Sequence, residues 1–86
     1  MEQDFKFTLE LISKDDSIIK LENVKIEEIF QRIKNSKPDF PHFEGLINQY
    51  IEDMKQQKID ETREFFVPEP KLKVKDWYRL ISTRIK

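Results

Sequence analysis

His42 is the only histidine in this 86-residue chain, and it stands in Phe40-Pro41-His42-Phe43 at the start of a helical pattern. Histidine is the usual general acid or base near neutral pH, but a lone one in a first helical turn reads as structural. Asp39, three residues earlier, is its nearest ligand-type neighbour, and two donors are too few for an ordinary metal site. The chain has no cysteine, hence no thiolate nucleophile, disulfide or cysteine-ligated zinc, and its one glycine leaves no Gly-rich phosphate loop. Four acid pairs occur, Asp15-Asp16, Glu27-Glu28, Glu52-Asp53 and Asp60-Glu61. Adjacent carboxylates on a helix point about 100° apart and do not converge, so these read as solvated surface. No catalytic residue, metal set or cofactor is expected, and the chain reads as non-enzymatic.

The one constellation with a chemical bias lies at the C-terminal end. Lys71, Lys73, Lys75, Arg79, Arg84 and Lys86 fall in the last sixteen residues against a single acid, Asp76, which makes this segment +5 and the preceding body −6. Opposed surface fields of this kind orient partners. Trp77, Tyr78 and, further back, Phe66 supply the aromatic anchors that interaction hot spots favour.

The elements that must position these groups follow from periodicity. Phe5, Phe7, Leu9 and Leu11 alternate with Lys6, Thr8 and Glu10, and Ile19 and Leu21 continue the pattern after the turn formers Ser13 to Ser17. That predicts an N-terminal β-hairpin with a four or five residue connection. Ile26, Ile29, Phe30 and Ile33 then predict a first helix, ended by Asn35-Ser36-Lys37-Pro38. Phe43, Leu46, Ile47, Tyr50, Ile51 and Met54 predict a second, capped by Asp39. Residues 55–64 read as helix or as linker. A short third strand is expected near 64–74, with Phe65 and Val67 inward, Phe66 outward, and Pro68 and Pro70 confining it to an edge. Lys71, Lys73 and Lys75 alternate with Leu72 and Val74. From Asp76 onward, Trp77, Leu80, Ile81 and Ile85 share one arc of a helical wheel while Arg79 and Lys86 point away, so the expected last element is a helix. Arg84 falls inside that arc, where a guanidinium must snorkel, stack or find an acid.

The expectation is a single α+β domain over 1–86: a hairpin covered by two helices, a short third strand and a C-terminal helix. Eighty-six residues support one modest core. The acidic start, Met1 to Phe5, lacks the positive charge that opens a secretory signal, and the longest apolar run, Phe65-Phe66-Val67, is far too short for a bilayer. A cytoplasmic location and no membrane association are expected. The absence of alanine beside eleven isoleucines is the bias of AT-rich coding sequence, as in low-GC bacteria and their phages, and suggests a phage or mobile-element origin.

The function this implies is a regulatory or protein-interaction module. It would bind a partner with an acidic surface through Phe66, Lys71, Lys73, Lys75, Trp77, Tyr78, Arg79, Arg84 and Lys86, or associate with itself through an edge strand. The alternative is a nucleic-acid-binding accessory protein using Lys71, Lys73, Lys75, Arg79 and Lys86. The isoelectric point of about 5.9 weighs against it, since dedicated nucleic-acid domains lie above about 9.

Overall fold

The structure, a computed structural model, describes residues 5–33, 42–68 and 76–86. Its elements are β1 (Lys6–Ser13), β2 (Ile18–Lys25), a 3-10 turn at Ile26–Glu28, α1 (Ile29–Ile33), α2 (Phe43–Met54), β3 (Thr62–Phe66) and β4 (Trp77–Arg84). The four strands form one antiparallel sheet in the order β2-β1-β4-β3, with β1 and β4 in the middle.

The period-2 pattern of β1 does what its residues dictate. Phe7, Leu9 and Leu11 are fully covered by the helical layer, while Lys6, Thr8, Glu10 and Ile12 face the other side. The hairpin connection, Lys14 to Ser17, closes through Ser13 N–H to Ser17 O at 2.9 Å and Asp16 N–H to Ser13 O at 3.0 Å. Asp16 takes the left-handed φ of 67° that this closure needs, a conformation Asp tolerates. A bulge sets Glu22 and Asn23 opposite Thr8, with Asn23 at φ 55°.

On the covered face, α1 buries Ile29 and Ile33, and α2 buries Phe43, Ile47, Tyr50 and Met54. Tyr50 stacks on Phe65 with ring centroids 4.8 Å apart, and Phe43 meets Trp77 edge-on at 6.0 Å. Arg63 on β3 donates to the Asp53 carbonyl at 3.1 Å, adding a side-chain donor to an acceptor that Gln56 N–H already bonds at 3.0 Å and tying β3 to the C-terminal end of α2. α2 starts at Phe43 with His42 as its N-cap, so the cap expected at Asp39 is not the one the helix uses. The Asn35 to Pro38 stop and the Leu72 and Val74 strand positions lie outside the described residues.

The architecture corrects the one expected from sequence. The domain is mostly antiparallel sheet with two short helices, and Trp77–Arg84 is a central strand where a C-terminal helix was expected. The wheel arc misled because β4 breaks simple alternation twice. Tyr78 is the extra residue of a bulge opposite Ile12 and Ser13, so Trp77 and Leu80 both face the core. Beyond Leu80 the core-facing positions are Ser82 and Arg84, polar residues that hide a period of two. The Trp, Tyr, Ile and Thr content of the segment suits a strand. Residues 55–64 resolve as the end of α2 at Met54, a turn, and the start of β3 at Thr62.

Candidate functional site

Among the described residues the helices cover one face of the sheet and no element packs on the other, the open face. Register places three cross-strand rows on that open face, running from β2 to β3. The first is Ile18, Ile12, Arg79 and Phe66; the second is Lys20, Glu10, Ile81 and Glu64; the third is Glu22, Thr8, Thr83 and Thr62. At about 4.8 Å between strands, the first row spans roughly 15 Å. Its two ends are apolar and exposed, Ile18 at 57% and Phe66 at 56%. The third row is polar, with Thr62 and Thr83 hydroxyls 3.0 Å apart.

Arg79 organises the β3 end of this face. Its Nη2 donates to Glu64 Oε2 at 2.9 Å, and its guanidinium carbon lies 5.9 Å from the Phe66 ring centroid. The Glu64 hydrogen bond holds the guanidinium even more firmly in its charged form than usual. The β3 edge is partly closed from behind. Val67 N–H bonds Tyr78 O at 2.8 Å and Arg84 N–H bonds Glu61 O at 3.1 Å, so odd positions of β3 face β4 and the backbone of Thr62, Glu64 and Phe66 points outward. Tyr50 donates its hydroxyl to the Phe66 carbonyl, filling the last acceptor of that edge.

The residues singled out by sequence end in different places. Phe66 is on the open face, Arg79 beside it is half-buried, and Tyr78 packs against the rim of the core. Trp77, read from sequence both as part of an apolar arc and as a partner anchor, is 1% exposed, because the bulge turns the indole toward the core, where it meets Phe43. Arg84 also points to the covered face. Its guanidinium lies 3.9 Å from the Phe5 ring centroid and donates to Gln57 O at 2.7 Å, which answers the stacking that an arginine among apolar groups requires. Lys86 is exposed, and its backbone carbonyl accepts from Lys6 N–H at 3.0 Å. Lys71, Lys73 and Lys75 lie outside the described residues. Sequence reasoning passed over Ile12, Ile18 and Ile81. The adjacent pair Ile18-Ile19 held the signal, since two successive apolar residues on an edge strand cannot both enter one core.

Among the described residues no group of three His, Cys, Asp or Glu side chains is placed to hold a metal ion. No described helix is long and apolar enough to cross a membrane. Comparison of the chain with protein-family models, curated proteins and solved structures gives no match.

Proposed function

We propose that this chain is a non-enzymatic, cytoplasmic protein-interaction module that docks a protein partner on the open face of its sheet at Phe66 and Arg79. The supporting observation is a large aromatic ring more than half exposed on an ordered strand, beside a half-buried cation. Such a pair matches the aromatic and arginine anchors that dominate binding energy, and the surrounding Thr and Glu positions supply a polar rim. Arg79 retains donors beyond the one it gives Glu64, which suits an acceptor carboxylate on an acidic partner.

Affinity capture from the source cell tests this reading when run with the wild type, Phe66→Ala and Arg79→Ala, each with and without nuclease. The expected result is a defined protein partner, retained after nuclease and lost with Phe66→Ala. A partner captured equally by Phe66→Ala removes this site. Capture that vanishes on nuclease treatment, and on adding salt, identifies a nucleic-acid binder instead.

A further inference from the structure

The two edges of the sheet are not equivalent. The β3 edge is five residues long, is followed by Val67-Pro68, and has its Phe66 acceptor taken by Tyr50. The β2 edge is eight residues long. Ser13 N–H bonds Ser17 O, so Ile19 and Leu21 turn their backbone toward β1 while Ile18, Lys20 and Glu22 turn theirs away. Among the described residues no strand covers those outward groups. Each face of this edge carries one exposed isoleucine. Ile18 is 57% exposed on the open face and Ile19 is 42% exposed on the helical side.

The charges on this edge select an occupant. Lys20 and Glu22 flank Leu21 symmetrically and point to the same face, 3.6 Å apart. Antiparallel pairing of two copies about Leu21 sets Lys20 of each against Glu22 of the other, and both positions have outward backbone groups, so the ladder bonds form there. Leu21 then meets its own copy across the axis on the helical side, with Ile19 beside it. A register two residues away would oppose Lys20 to Lys20. The positive-φ bulge at Asn23 ends the regular edge, so the ladder is short and the association weak.

We infer that β2 is a self-pairing edge, through which two copies of this chain join their sheets about Leu21 with Lys20 against Glu22. The inference does not depend on the Phe66 site, which lies at the opposite edge of the sheet.

Sedimentation equilibrium of the whole chain from about 10 μM to about 1 mM tests it. Wild type is expected to dimerise within that range. Lys20→Glu and Glu22→Lys each place like charges across the axis and are expected to weaken self-association at least about tenfold. An equimolar mixture of the two variants restores opposite charges at every contact, and is expected to dimerise at least as well as wild type. Both side chains are exposed, and unchanged melting temperatures verify that the variants fold. Phe66→Ala is expected to leave the dimer intact. A wild type that stays monomeric to about 1 mM, single variants that associate like wild type, or a mixture no better than its components would each overturn the proposal.

Discussion

Ser82 and Gln57 bond each other twice: the Ser82 hydroxyl donates to Gln57 Oε1 at 2.9 Å, and Gln57 Nε2 donates back to the Ser82 carbonyl at 3.0 Å. Gln57 Nε2 also donates to the Glu61 carbonyl at 2.8 Å, and both side chains are buried. This polar pair locks the turn after α2 onto the central strand β4. Without it, two polar groups inside an apolar layer would be a liability. Ser82→Ala leaves Gln57 Oε1 buried without a donor and is expected to lower stability by about 1–3 kcal/mol in urea unfolding. A double-mutant cycle with Gln57→Ala is expected to show coupling of about 0.5–3 kcal/mol, where independent sites would simply add.

Tyr50 links α2 to the β3 edge, and burial pushes its phenol up from 10.0 to about 12. A phenol whose folded value is raised contributes stability that is intact below its unfolded value of about 10 and lost as pH climbs toward 12. Wild type is therefore expected to lose melting temperature between pH 10 and 12 by a wider margin than Tyr50→Phe. At neutral pH the same variant gives up the bond to the Phe66 carbonyl, at a cost of about 1 kcal/mol.

Trp77 separates packing from binding. Trp77→Ala empties a fully buried site and is expected to cost about 3–5 kcal/mol, enough to unfold much of so small a domain, so loss of a partner in that variant would say nothing about docking. Trp77→Phe is more informative. The indole Nε1 is buried and finds no acceptor among the described residues, so this change removes an unsatisfied donor along with some volume. Its thermal unfolding is expected to stay much closer to wild type than that of Trp77→Ala.

Gly45 lies in the first half of α2, exposed, with a helical φ and nothing within 4 Å of the position a Cβ would take. Gly45→Ala is expected to stabilise the protein by roughly 0.5–1 kcal/mol, read as an increased denaturation midpoint with an unchanged slope.

Where one period governed a whole element, the sequence was legible. The Phe7, Leu9, Leu11 alternation gave β1, the turn formers gave the hairpin connection, and the unbroken series from Phe43 to Met54 gave the body of α2, although its N-cap is His42 and not Asp39. Phe66 was legible as an outward side chain because Phe65 and Val67, on either side, are the apolar residues of a strand ended by Pro68. β4 was not. A bulge at Tyr78 shifted the phase, and Ser82 and Arg84 occupied core-facing positions only because Gln57 and Phe5, distant in sequence, were there to receive them. Local pattern cannot report a partner supplied by another element, so Trp77 could be read both as part of an apolar arc and as a partner anchor, and only the fold shows it buried in the core.

The central placement of β1 beside β4 bears on how the chain reaches this state. The first hairpin can close early, but the inner strand of that hairpin finds its second neighbour only after a loop of roughly 60–80 residues has been drawn together. Until then Leu9 and Leu11 wait beside an open edge, a topology that folds slowly and invites mispairing. The strand made last is the keystone of this arch: cutting it away would not trim a border but leave a hairpin and an orphaned β3 with nothing between them.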